Sequence, residues 1–134
     1  MAIRDIFFSR GNDFIRVQLA GHPGETTLMN APDAYQSHDL VPDNIPRPKD
    51  YVAARFALHM AFYNPSWKTS SVHCPIFFAI CGKDSVAPPR PTLNYAKAAP
   101  KATVKLYEQM GHFDIYLGEH FDIATGDYTE RQNL

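Results

Sequence analysis

At 134 residues, with 45% hydrophobic, 13% aromatic and 20% charged residues, the chain has the size and make-up of one ordinary globular domain. A formal net charge of -1 supplies no field that would gather nucleic acid or anionic lipid, so neither is expected as a partner. No apolar run is long enough to span a bilayer, and the start MAIRDIFFSRGND lacks the basic and small-residue pattern of a secretory signal, so the expected compartment is cytoplasmic.

The first elements are short, because 11 prolines punctuate the chain. Ala2 to Phe8 reads as a helical turn or two that stops at Gly11-Asn12. Phe14 to Leu19 alternates apolar residues with Arg16 and Gln18, and reads equally as a short strand or an extended segment before the turn GHPG at Gly21. Asn30 to Lys49 carries four prolines, which predicts turns, one short helix and linker. Asp50 is placed to cap a helix from Tyr51 to Tyr63, so apolar that it should be buried on several sides, and Asn64-Pro65 ends it.

The second half follows a different pattern. IFFAI, Ile76 to Ile80, is a continuous apolar run bounded by Cys81-Gly82, as in a strand buried on both faces of a parallel sheet. A helix from Pro91 to Ala99 follows, then the strand Thr103 to Glu108 and a last helix from about Glu119. Strand, helix, strand implies a right-handed parallel crossover and an α/β fold. Cys74 and Cys81 flank the first of these strands, which would hold them about 23 Å apart at roughly 3.3 Å per residue, so no disulfide is expected. Neither CxxC nor HExxH spacing occurs, and no metal or cofactor is expected; His22, His38, His59, His73 and His120 read as surface or packing residues.

Asp84 lies just past the carboxyl end of the first parallel strand and His112 just past that of the second. Functional groups of open α/β sheets collect outside the carboxyl ends of the strands. A carboxylate bonded to one imidazole nitrogen fixes the tautomer and stabilises the imidazolium formed when the other nitrogen takes a proton. Gly111, directly before the histidine, permits an unusual backbone angle that would aim the ring over the sheet edge.

CPIFFAICGKDSVAPP followed by MGHFDIYLGEHF resembles the C-terminal part of α/β-hydrolases, in particular the serine aminopeptidase-like and dipeptidyl-peptidase-like branch. The resemblance is carried by 72–134. More loosely, VQLAGHPGETTLMNAPDAY and the apolar helix look like the lid that such enzymes insert over the site. It implies a lid or cap-like region at 1–70 and a β-α-β-α part of the hydrolase core at 71–134, with Asp84 the triad acid and His112 the triad base. An ester or peptide-like substrate and acyl transfer without a cofactor follow from the same resemblance.

A histidine base needs a nucleophile, which in that family sits on a G-x-S-x-G elbow ahead of the acid. The chain has none; FFSRG offers Ser9 with Gly11 but has Phe7 in place of the first glycine. The expectation is therefore a fragment that lacks its nucleophile half and is inactive alone, with the free edge of PIFFAI covered by that half or by a homodimer. The alternative is a non-catalytic binding protein on a reduced hydrolase scaffold, using the helix Tyr51 to Tyr63 as a partner surface.

Overall fold

The computed structural model describes residues 1–9, 13–46 and 49–132. The chain is mixed α/β, with four α-helices and two small sheets among the described residues, and it divides into two units, Met1–Asn64 and Pro65–Leu134.

The first unit opens with α1, Ala2–Phe8, whose one buried residue is a carboxylate, Asp5. Its Oδ1 accepts from the Ile15 amide at 2.7 Å and its Oδ2 from the Arg55 amide at 3.0 Å, with Arg55 Nε 3.5 Å away. Ser9, the residue that caps the end of α1, adds a side-chain hydrogen bond to the same carboxylate. A buried acid is tolerated when every oxygen is bonded, and here it ties the helix to two distant backbone amides. The predicted stop at Gly11-Asn12 lies outside the described residues.

β1, Arg16–Ala20, takes the strand form that its alternation allowed. It is the centre of a three-stranded sheet, parallel to β2, Thr27–Met29, and antiparallel to β3, Tyr51–Ala53. Arg16 covers the rings of Phe14 and Tyr51, its guanidinium carbon 5.1 Å from each centroid. The helix expected from Tyr51 begins only at Phe56. Asp50 does not cap it; the Asp50 carbonyl accepts from Leu19 N–H at 2.6 Å, and Ala54 N–H donates to Ile15 at 2.8 Å. The sheet thus claims the first residues of that apolar run. What remains, α2, Phe56–Phe62, has no buried residue, contrary to the expectation of burial, and Phe62 is 88% exposed. Residues 1–64 are a sheet-and-helix unit where a helical lid region was expected.

The second unit starts at Pro65, earlier than the expected boundary at 70/71, because the 3-10 segment Pro65–Ser71 is bonded into it: the Thr69 hydroxyl donates to the Tyr95 carbonyl at 3.1 Å. β4, Ile76–Cys81, runs parallel to β5, Ala102–Tyr107, in continuous register from Ile76↔Ala102 to Cys81↔Tyr107. The crossover helix α3, Pro89–Ala98, has proline in its first turn, where the missing N–H costs nothing. The core is Cys81, Tyr107, Met110 and Ala124. α4, Gly118–Gln132, is pinned to β5 by Tyr107, whose hydroxyl donates to Asp127 Oδ2 at 2.8 Å, and by Lys105 Nζ, 3.4 Å from the same carboxylate. Among the described residues no further strand pairs with β4. None of the described helices is long and apolar enough to cross a membrane.

Candidate functional site

Two loops leave the carboxyl ends of β4 and β5 side by side and are laced together. Gly82 N–H donates to Tyr107 at 2.8 Å and Lys83 N–H to Met110 at 2.9 Å. The approach is so close that a Cβ on Gly82 would lie 2.7 Å from the Glu108 Cα, which is why a glycine occupies this position.

Asp84 sits at the start of the first loop. Its Oδ1 accepts from the amides of Val86 at 2.9 Å and Ala87 at 2.7 Å, which fixes the carboxylate plane. The other oxygen, Oδ2, lies 2.7 Å from Nδ1 of His112, 28 residues further along the chain. With the Asp84 side chain 11% and the His112 side chain 31% exposed, the contact is largely sheltered from water on the acid side and open enough on the base side to meet a substrate. The sequence-predicted pair is thus brought together within hydrogen-bond reach.

Gly111 does not act through an unusual backbone angle as expected. Positive φ occurs among the described residues only at Gly24 and Gly118. Instead, Gly111 N–H donates to Asp114 Oδ2 at 2.6 Å, and the His112 ring stands edge-on to Phe113 with centroids 4.6 Å apart. Sequence reading passed over Asp114. The available signal was its spacing, since an acid three residues after a turn start reaches back to the first amide as in a capping box.

The pair opens on a cleft of about 310 Å³ whose other walls include Ala79, Ile80, Ile115, Phe121 and Tyr128. Such a volume and lining suit an apolar group beside a few polar ones. Cys81 also lines the cleft, but burial first, and then the Asp84 and Asp114 carboxylates, push its thiol up. It is therefore protonated near neutral pH and a weak nucleophile. Ser9, the other nucleophile weighed, is committed to Asp5 at the end of α1, and the glycine of its FFSRG context lies outside the described residues. Cys74 and Cys81 are both free thiols, and among the described residues no group of three metal-ligating side chains forms.

Comparison with known proteins gives a sparse picture. No family model and no solved structure matches the chain. The chain is 46% identical over 116 residues to the quorum-quenching protein AidA of Acinetobacter baumannii (strain MDR-ZJ06), an alignment that covers 84% of this chain and 37% of AidA. Two Escherichia coli proteins, each described as an uncharacterized 31.7 kDa protein in the traX-finO intergenic region, are 37% identical over 70 residues, covering 51% of this chain and 24% of theirs. The chain thus spans well under half the length of the curated relatives it matches. These findings overturn the resemblance to the serine aminopeptidase-like and dipeptidyl-peptidase-like α/β-hydrolases: the similarity that extends over most of the chain is to AidA, and nothing found ties the chain to a hydrolase fragment. The short motif around Asp84 and His112 was what carried that assignment, and a β-α-β unit with polar residues at its strand ends is too widely shared to name a family.

Proposed function

We propose that the chain carries the acid–base part of a hydrolytic site that cleaves an ester or amide by acyl transfer, and that this chemistry serves quorum quenching, the activity for which AidA is named. The observation that carries the reading is the Asp84 carboxylate, held by two amides and set 2.7 Å from His112 Nδ1. Asp84 keeps the proton on Nδ1 and directs Nε2 toward the reacting groups. Nε2 accepts the proton of a serine or cysteine as that nucleophile adds to the substrate carbonyl, then returns it to the departing alcohol or amine. A water deprotonated by the same nitrogen releases the acyl group. The nucleophile is to be sought in the remaining length of proteins of the AidA type, so the chain alone should hydrolyse activated esters no faster than its His112→Ala variant. No cofactor enters this chemistry, the substrate is a small molecule with an ester or amide bond, and the compartment is cytoplasmic.

The test is a chimera in which this chain replaces the matching span of AidA, assayed on p-nitrophenyl esters and for quorum quenching. His112→Ala and Asp84→Asn should each lower ester turnover by roughly 10⁴-fold. An active chimera indifferent to both substitutions removes the reading.

A second reading, non-catalytic binding, draws on α2, where Phe56, His59, Met60, Phe62 and Tyr63 line a groove of about 460 Å³ and Phe62 and Tyr63 are 88% and 76% exposed. It gains if quorum quenching by the chimera survives His112→Ala but not Phe62→Ser.

A further inference from the structure

We infer that Asp114 is a positioning residue for His112: its carboxylate holds the turn from Gly111 in the one orientation that sets the imidazole against Asp84. The inference rests on reading Asp84 and His112 as the acid–base pair, and extends that reading to a third residue.

The turn is fixed at both ends. Met110 N–H donates to Tyr107 at 3.2 Å while its carbonyl accepts from Lys83 at 2.9 Å, so the chain enters the turn anchored to both loops. Beyond the histidine, Tyr116 N–H donates to Phe113 at 3.1 Å and Leu117 N–H to Asp114 at 3.0 Å, so it leaves as a 3-10 turn, Asp114–Tyr116. The Met110 carbonyl and the Gly111 N–H belong to one planar peptide, held by Lys83 at its oxygen and, in the buried residue Gly111, by Asp114 Oδ2 at its nitrogen, 2.6 Å away. Without Asp114 that N–H is left unsatisfied and the peptide, held at its oxygen alone, is free to tilt about the Lys83 bond toward another partner or toward water. Glycine offers little resistance to that tilt, and the next residue to swing is His112. Asp114 thereby supplies from a side chain the restraint that Gly111, without a Cβ, cannot supply itself. A second observation puts Asp114 in the same neighbourhood: its charge, with that of Asp84, acts on the Cys81 thiol in the cleft.

The experiment is imidazole nitrogen NMR of the whole chain. In the unsubstituted protein, neutral His112 should carry its proton on Nδ1, the nitrogen facing Asp84. Asp114→Asn keeps an oxygen acceptor for Gly111 and should preserve that tautomer. Asp114→Ala removes the acceptor and should convert His112 to a mixture of both tautomers, with the Gly111 amide resonance displaced. An Ala variant that keeps the Nδ1–H tautomer unchanged overturns the inference. Should that variant fail to fold, Asp114→Leu decides, since it keeps the side-chain bulk without an acceptor: it should mix the tautomers and displace the Gly111 amide resonance, and a Leu variant that leaves both unchanged overturns the inference. In the AidA chimera, Asp114→Ala should lower kcat for ester hydrolysis by about 10- to 100-fold at unchanged KM, restored to within about 2-fold by Asn. A chimera without esterase activity whose tautomer still answers to Asp114 removes the hydrolytic reading and supports the positioning role.

Discussion

The two units hold themselves together by opposite means. Among the described residues of 1–64 the buried hydrophobic residues are three alanines, Ala20, Ala34 and Ala54, and the largest fully buried side chain is the Asp5 carboxylate, bonded to amides ten and fifty residues away. Among the described residues of 65–134 the centre is a cluster of Cys81 and Tyr107, the last residues of the two parallel strands, with Met110 and Ala124. A small unit with little apolar area to bury depends on polar bonds at its centre, whereas the unit with an apolar core carries its polar bonds at the rim, where an acid and an imidazole are placed. The candidate chemistry therefore sits on the unit whose order does not depend on it.

The largest effect that could break this contrast is Asp5→Ala. It should cost the first unit its cooperative order, seen as collapse of amide dispersion for residues 13–64, while resonances of 65–132 keep their positions. Spectra in which both halves collapse together would mean the contrast is false. Next comes Gly82→Ala, which forces the Glu108 backbone aside and should destabilise the second unit by about 1–3 kcal/mol in urea unfolding, with the Asp84–His112 contact lengthened.

Acid and alkali should then act on different halves. Burial alone would raise the Asp5 carboxyl, but the Ile15 and Arg55 amides, the Ser9 hydroxyl and the Arg55 guanidinium outweigh it and hold it below its ordinary 3.8. Its stabilisation of the first unit is complete above that pH and is lost as pH falls through the depressed folded value. In the second unit burial raises Cys81, Tyr107 and Tyr128 above their ordinary 9.0, 10.0 and 10.0, helped at Tyr107 by the bond to Asp127. Raised acids stabilise the fold below those values and cease to do so as pH rises through the folded ones, so alkali should loosen this unit first. Tyr51 sharpens the difference. The Arg16 hydrogen bond prevails over burial and, with Lys49, lowers it below its ordinary 10.0, so the first unit should gain as pH rises through the depressed folded value, in full above 10.0. Two pH-unfolding curves recorded on unit-specific amides check all of this, and parallel curves would contradict it.

Smaller still is Tyr107→Phe, expected to cost about 0.5–1.5 kcal/mol through the lost bond to Asp127, read as a shift of the urea midpoint. The slightest effect concerns the side of β4 that faces away from β5. Amides alternate along a strand, and Ile76 and Gly82 point to β5, so Ala79 and Cys81 point away from it. Their hydrogen exchange should run ahead of Ile80 unless self-association covers that edge, which a concentration series would reveal.

What could be read in the sequence follows the same division. β4, α3, β5 and α4 declare themselves through local pattern, an apolar run, proline punctuation and helical spacing, and Asp84 and His112 inherit their meeting from that order. The first unit resists such reading because its decisive contacts are long-range. Nothing near Asp5 announces Ile15 and Arg55 as partners. Tyr51–Ala53 looks helical in a run of apolar residues until β1 is there to claim its amides. Thr27–Met29 is too short to show alternation at all. Asp114 was missed although its spacing was visible, because a charged residue in a turn has many solvated explanations.

The ladder from Ile76↔Ala102 to Cys81↔Tyr107 also separates distance from covalent continuity. Asp84 and His112 are linked through α3, yet the separation between them is set by the step of one strand against the other. The link turns around at Ala99–Lys101, at the end of the sheet away from both residues. Opening the backbone there, between Pro100 and Lys101, would leave the acid on one polypeptide and the imidazole on another. In such a two-piece protein, recovery of the Nδ1–H tautomer on mixing would measure the affinity of one strand for its neighbour.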